Sequence, residues 1–161
     1  LVATSDVVGG ATIRYLLETQ QNTGGPTPVI SEAAAAVWIG RPDDSLPGPR
    51  AQFQSFLSGP LTSADDLQAA LEPWLRSQAQ DFGTVDRIFS ASSDPMIMTE
   101  EHRAFANFLP NPLITHLAWT IGDCGASLGL LGMLSGLEES GVTLVMATDC
   151  GASVAILVSV P

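Results

Sequence analysis

Short apolar runs and amphipathic stretches alternate along the 161-residue chain. The apolar runs, bounded by turn-forming residues, predict strands at 1–4, 33–40, 85–90, 113–120, 142–147 and 154–160. Helical spacing predicts a helix over 11–20 and two more that begin at Ser63 and Thr99 as N-caps, with Pro73 kinking or restarting the first of these two. Residues 124–137 have no polar side, which predicts a helix buried all round. Residues 41–50, rich in Pro and Asp, form the clearest linker.

Charge and cysteine usage exclude several functions. The net charge is -11 and every one of the six cations is Arg, so a Schiff-base lysine and a Walker phosphate loop are excluded and nucleic acid is disfavoured as a partner. No apolar run reaches the ~20 residues of a membrane span, and no basic stretch marks a signal peptide. Cys124 and Cys150 are too few for a disulfide scaffold, which indicates a reducing, cytoplasmic location. A start without Met indicates a fragment, a processed chain or a partly observed chain.

Two sequence echoes suggest an internal duplication. LVATSD at residues 1–6 recurs as LVMATD at residues 144–149, and each copy is followed, after a loop, by an apolar strand. DCGAS occurs at residues 123–127 and again at 149–153, where small residues permit tight turns. Chance similarity between short strings rich in Val, Ala and Thr is the competing explanation.

Several longer stretches resemble the thiolase superfamily, which includes the ketoacyl synthases. The resemblance is carried by ISEAAAAVWIGRP, by VDRIFSASSDP with TEEHRAF after it, by TIGDCGASLGLLGML and by ATDCGASVAIL, in that order. In the same order, these stretches are similar to four features of the family. The first is the strand that closes the first half of the fold, and the second is the strand that precedes a His-Gly-Thr motif. The third is the Gly-His or Gly-Asn turn before a buried helix, and the fourth is the last glycine-rich turn and strand. The resemblance implies a layered α/β fold of two similar halves, each with a mixed five-stranded sheet.

On this resemblance, residues 1–48 are the closing strands of the first half and residues 49–161 are the second half. The nucleophilic Cys of the family would then lie before Leu1. The two donors that stabilise the enolate in the family fall at Ala91, which has no donor, and at Asp123, which when ionised can only accept hydrogen bonds. Sliding the alignment by one residue brings Ser90 or Ser92 to the first position. The resemblance therefore implies a non-condensing half.

The remaining candidate residues each have a structural alternative. Asp123 also suits a helix N-cap, Cys124 also suits a small buried position, and Cys150 lies where biosynthetic thiolases carry an acid/base Cys. His102 is predicted to be solvated on its helix and His116 to be a hydrogen-bonded core residue. The Trp residues are predicted to be core or interface anchors, and no cofactor or metal ligand set is indicated. An acyl pocket is expected near Phe105, Phe108, Leu128 and Leu131.

Three hypotheses of function follow. The first is a ketosynthase-like subunit that resembles chain length factors: it pairs with an active ketosynthase chain as a homo- or heterodimer, shapes the acyl pocket, and meets acyl carrier protein or acyl-CoA through that partner. The second is an active acyltransferase or thiolase-like enzyme that uses an upstream Cys, Cys124 or Cys150. The third is a structural assembly module. Because acyl carrier proteins are also acidic, the first hypothesis predicts that this chain does not dock a carrier directly.

Overall fold

A computed structural model of the protein describes residues 2–6, 33–37, 54–58, 63–125, 127–149 and 152–160. The predicted helix over 11–20, the linker at 41–50, Trp38 and Cys150 lie outside these residues. The strands are β1 (Val2–Asp6), β2 (Ala33–Val37), β3 (Gln54–Ser58), β4 (Arg87–Ser90), β5 (Leu113–His116), β6 (Gly141–Asp149) and β7 (Ala152–Val160). The helices are α1 (Ala64–Phe82), α2 (Pro95–Phe108), α3 (Leu117–Ile121) and α4 (Ser127–Leu137).

The strands form two sheets. In the larger sheet, of five strands, the order is β3-β7-β6-β4-β5. Strand β4 is parallel to both its neighbours, β5 and β6, while β7 is antiparallel to both β6 and β3. Strands β1 and β2 form a separate antiparallel pair. The fold is therefore α/β with a mixed sheet. The two-stranded sheet is formed by residues up to Val37, and the five-stranded sheet by residues from Gln54 onward.

Helices cover both faces of the five-stranded sheet. Helices α1 and α2 pack on one face, where Leu71 and Phe105 join Leu144 and Leu157 in the largest apolar cluster. Helix α4 packs on the other face, where Leu130 and other α4 residues contact β6, β7 and the two-stranded sheet. Because α4 lies between two sheets, the helix predicted to be buried all round is enclosed by apolar residues on two sides. The described layers run helix pair, sheet, helix, sheet.

Glycines let α4 approach the sheet closely. A Cβ atom added at Gly132 would lie 3.0 Å from Leu117 Cδ1 and 3.0 Å from Val145 Cγ1. At Gly136 it would lie 3.2 Å from Thr143 Cβ. These distances are tighter than ordinary van der Waals contact, so the glycines set how near the helix can lie to the strands.

Local capping explains where the first two helices begin. Ser63 Oγ accepts from the backbone N–H of Asp66 at 3.2 Å, so the predicted cap of α1 is confirmed. Thr99 as the cap of α2 is wrong: the N-cap is Asp94, whose carboxylate accepts from Met96 N at 2.8 Å, and Pro95 takes the first turn. Proline is tolerated at the first position of a helix because an N–H at this position would have no hydrogen-bond partner within the helix.

Two further predictions need correction. The predicted restart at Pro73 is wrong: helix α1 is continuous through this exposed proline, and its Leu67–Leu71–Leu75 stripe is buried on both sides of it, while the kink expected there stays a prediction. The predicted strand 113–120 ends at His116, and the rest of it forms the short helix α3. Leu117 and Ala118 of this helix are buried. The second part of the apolar run therefore contributes to the core as a helix and not as a strand.

The repeated strings occupy equivalent strand pairs. Strand β1 ends with Asp6 opposite Ala33 of β2, and β6 ends with Asp149 opposite Ala152 of β7. Both pairs are antiparallel, and both contact α4. The sequence repeat is thus matched by a repeat of local structure on the two sides of one helix.

Candidate functional site

Residues at the start of α4 meet the end of β4 in a small buried cluster. Cys124, Leu117, Ala118 and Leu128 form its buried part, with Ala33, Phe89 and Ala91 packed against them; we call this set the interlayer cluster. Ala91 follows β4, and its backbone N–H bonds Met146 O at 2.8 Å, which extends the pairing with β6. The fold therefore brings together two regions singled out from the sequence, the SASSDP run and the IGDCG turn.

The turn before α4 depends on its two glycines. Gly122 has φ 93° and Gly125 has φ 54°, values that favour glycine over residues with a side chain. Between them, Asp123 Oδ1 accepts from Gly125 N at 3.0 Å. Asp123 therefore closes the turn that leads into the helix.

The thiol of Cys124 lies inside the interlayer cluster. Its residue is 1% exposed, and apolar atoms of Leu117 and Leu128 belong to the same cluster. Burial in apolar surroundings disfavours a thiolate. The environment therefore matches the small buried residue that was the structural alternative for Cys124.

A hydrogen bond ties α4 to the smaller sheet. Ser127, the first residue of α4, is fully buried, and its Oγ donates to Ala33 O at 3.1 Å. This bond satisfies a buried hydroxyl and a strand carbonyl together. It fixes the start of α4 relative to β2, beside the interlayer cluster.

A polar cluster lies on the opposite face of β4. The Ser90 hydroxyl donates to Glu101 Oε2 at 2.7 Å, and the Nδ1 atom of His116 lies 3.8 Å from the same oxygen. His116 Nε2 is 2.9 Å from His102 Nε2, so one ring donates and the other accepts. We call these four residues the histidine–glutamate cluster. Glu101 is 0% exposed, and the side chain of His116 is 10% exposed.

The environment of His116 changes its titration. Burial, followed by the charge of the neighbouring His102 ring, lowers the pKa of His116 from 6.5 to about 4. The unfolded chain would therefore bind a proton that the folded chain resists. This residue stabilises the fold above pH 6.5, and its contribution is lost as the pH falls from 6.5 toward 4.

The predicted acyl-pocket residues are divided between the two faces of the sheet. Phe105 is buried with Phe108 packed nearby, their ring centroids 5.8 Å apart, in the cluster that includes α1. Leu128 and Leu131 belong to the interlayer cluster and its neighbours on the other face. Phe108 does line a cavity of about 260 Å³, with residues of α1, the loop before β4 and Leu157. The structure does not bring the four predicted residues together.

The histidine–glutamate cluster was missed from the sequence. Its signal is the position of Glu101 on α2, where Glu101, Ala104 and Phe105 are the buried residues of the helix. A carboxylate within such an apolar stripe indicates a buried partner. His116 is the hydrogen-bonded, mostly buried residue expected, and His102 is exposed, but their contact depends on tertiary structure.

Within the described residues, no set of three or more His, Cys, Asp or Glu side chains is arranged to hold a metal ion. No described helix combines the length and apolar character required for a membrane span. Comparison of the chain with protein-family models, with curated proteins and with solved structures found no match.

Proposed function

We propose that the chain is a non-condensing, ketosynthase-like subunit of fatty acid- or polyketide-type acyl biosynthesis, which pairs with an active ketosynthase chain and shapes its acyl pocket. The observation that carries the proposal is the interlayer cluster. There Ala91 contributes only a methyl group where the resemblance calls for a histidine, and the Asp123–Cys124 turn, where the second donor is expected, adjoins the same cluster.

The architecture supports the family part of this proposal. A thiolase-like half is expected to have a mixed five-stranded sheet within alternating helix and sheet layers. The chain has such a sheet, with α1 and α2 on one face and α4 on the other, and a second sheet beyond α4. The paired repeats β1–β2 and β6–β7 agree with a duplicated architecture whose first half is represented by residues 1–48.

The chemistry of the cluster supports the non-condensing part. Stabilising an enolate requires hydrogen-bond donors aimed at the oxygen that becomes charged. The Ala91 side chain has no donor group, its backbone N–H is already bonded to Met146 O, and the Asp123 carboxylate is an acceptor already bonded to Gly125 N. The alternative in which Cys124 attacks a thioester requires a thiol that a substrate can reach, and its 1% exposure opposes that role.

Apolar residues at one end of the large sheet support the partner part. Strand β5 is last in the order of the described sheet, and Leu113 on it is 68% exposed. Trp119 and Ile121 follow on α3 and are also exposed. A strand edge flanked by apolar side chains favours association with another chain. Acyl carrier protein or acyl-CoA would reach the complex through the ketosynthase partner, in the cytoplasm.

The test measures binding of the purified chain to an active ketosynthase by sedimentation velocity. Leu113→Lys places a charge on the β5 edge, and Ala69→Lys places the same charge on the exposed face of α1 as a matched control. We expect a complex with the unaltered chain and the control, weakened at least tenfold by Leu113→Lys. Equal binding by both variants would remove β5 from the interface, and absence of any complex would overturn the partner role.

A further inference from the structure

The only two histidines of the chain converge at their Nε2 atoms. His102 is on the exposed side of α2, and His116 is the last residue of β5. Their Nε2 atoms are 2.9 Å apart, with ring centroids separated by 5.0 Å and ring planes inclined by 52°. Two ring nitrogens at this distance require something between them: either a shared proton or a cation.

The other nitrogen of His116 faces a buried carboxylate. His116 Nδ1 has no hydrogen-bond partner among the described residues, and Glu101 Oε2 is 3.8 Å away. The Ser90 hydroxyl fixes that oxygen at 2.7 Å. A carboxylate behind an imidazole, itself held by a further hydrogen bond, is the usual arrangement around a histidine that binds metal, because it selects the tautomer that leaves Nε2 available.

We propose that His102 and His116 bind a divalent transition-metal cation of the zinc class through their Nε2 atoms. Tetrahedral coordination with Zn–N bonds of about 2.0–2.1 Å puts two such nitrogens about 3.3 Å apart, so a small outward rotation of a ring makes room for the ion. His102 is exposed and can make that adjustment. The site is separate from the interlayer cluster and does not depend on the function proposed above.

The protons balance without an added base. In the metal-free pair one ring carries its proton on Nε2 and donates it to the other. When the cation binds, that proton moves to Nδ1 of the same ring, so both rings stay neutral. On His116 the Nδ1–H then faces Glu101 and can donate to its carboxylate. The cation thus replaces the shared proton between the rings, and in the bound form the Nδ1–H of His116 is available for a charge-assisted hydrogen bond to the carboxylate.

Open positions on the ion define the kind of ligand it would accept. Since the described residues offer no cluster of three metal-ligating side chains, water or a small donor molecule completes the coordination. Nitrogen ligands favour Zn²⁺, Ni²⁺ and Cu²⁺ over Mg²⁺ and Ca²⁺, which prefer oxygen. The site is thus selective against the common hard cations.

Histidine-specific NMR tests the proposal directly. In ¹⁵N-labelled protein, long-range ¹H–¹⁵N correlations report the ring nitrogens of His102 and His116 alone, so binding at the cysteines does not interfere. Adding ZnCl₂ should shift both Nε2 signals together, reach saturation at one equivalent and convert both rings to the Nδ1–H tautomer. MgCl₂ should leave them unchanged. Failure of either ring to respond to excess Zn²⁺ would overturn the site and indicate a shared proton only.

Variants identify the ligands. His102→Ala removes one exposed ligand and should weaken Zn²⁺ binding at His116 at least tenfold, while Arg103→Ala, its exposed neighbour on α2, should leave it unchanged. Glu101→Gln keeps the shape of the buried side chain and should weaken binding about 10- to 100-fold. Zn²⁺ affinity that is the same with and without His102 would refute the two-histidine site, even if Glu101→Gln destabilises the fold.

Discussion

Replacing Gly132 by Ala tests whether α4 is packed as closely against the sheet as the structure shows. The added methyl would lie 3.0 Å from both Leu117 Cδ1 and Val145 Cγ1, and 3.3 Å from Phe89 Cβ. Overpacking of this kind costs about 1–3 kcal/mol. Replacing a helical Gly by Ala contributes about 1 kcal/mol in the opposite direction through helix propensity.

Gly129 provides the matched control on the same helix. A Cβ added there meets no described atom within 4 Å, so Gly129→Ala should keep the propensity gain and stabilise the protein by up to about 1 kcal/mol. The propensity effect cancels between the two variants. The difference between them should therefore be about 1–3 kcal/mol, with Gly132→Ala the less stable.

Urea unfolding followed by circular dichroism gives both free energies of unfolding from the transition midpoints and slopes. Gly136→Ala should fall between the other two variants, because its Cβ would approach only Thr143, at 3.2 Å. If Gly132→Ala and Gly129→Ala have the same stability within about 0.5 kcal/mol, α4 does not approach β4 and β6 this closely and the layered packing is refuted.

The remaining predictions concern a buried ring, a cap and a thiol. In chelator-treated protein, the free energy of unfolding should fall by up to about 3 kcal/mol between pH 6.5 and 4, and His116→Asn should remove this loss. Urea titration at a series of pH values measures it. The same dependence of the free energy of unfolding on pH in both proteins would contradict the low pKa of His116. Asp94→Ala should cost about 1 kcal/mol in thermal unfolding, and Thr99→Ala clearly less, since only Asp94 caps α2; the reverse order would refute the assigned cap. Iodoacetamide should modify Cys124 slowly in native protein and at the unfolded rate in urea, as mapped by mass spectrometry, whereas rapid native labelling would contradict its burial.

Much of the secondary structure follows from local pattern. Strands β6 and β7 are long apolar runs, and α4 is apolar on all sides, so the sequence alone indicates that each of them is buried in the core. The cap at Ser63 is also a local signal, because the Asp residues that follow it suit the first turn of a helix. These elements required no knowledge of their neighbours.

Other elements depend on tertiary contacts that a local pattern does not contain. Strand β3 is a short QSFLS segment whose pairing with β7 stabilises it, and the sequence gives no independent signal for it. The apolar run after Leu113 reads as one strand, but packing of Leu117 and Ala118 in the interlayer cluster makes its second part helical.

The candidate sites divide in the same way. Ala91 and Cys124 could be brought together in advance only through the family resemblance, since they are far apart in sequence and joined by packing against α4. The contact between His102 and His116 bridges a helix and a strand end, and Glu101 is buried by the sheet beneath α2. Only the position of that carboxylate among apolar residues gave a sequence signal.

The proposal that this chain does not condense acyl units is tested most directly by malonyl-CoA decarboxylation in the presence of an acyl-CoA. We predict no release of CO₂ above the buffer background from the chain alone, because the Ala91 side chain supplies no donor and Cys124 is buried. Turnover by the chain alone that is abolished by Cys124→Ser or Asp123→Ala would contradict the account.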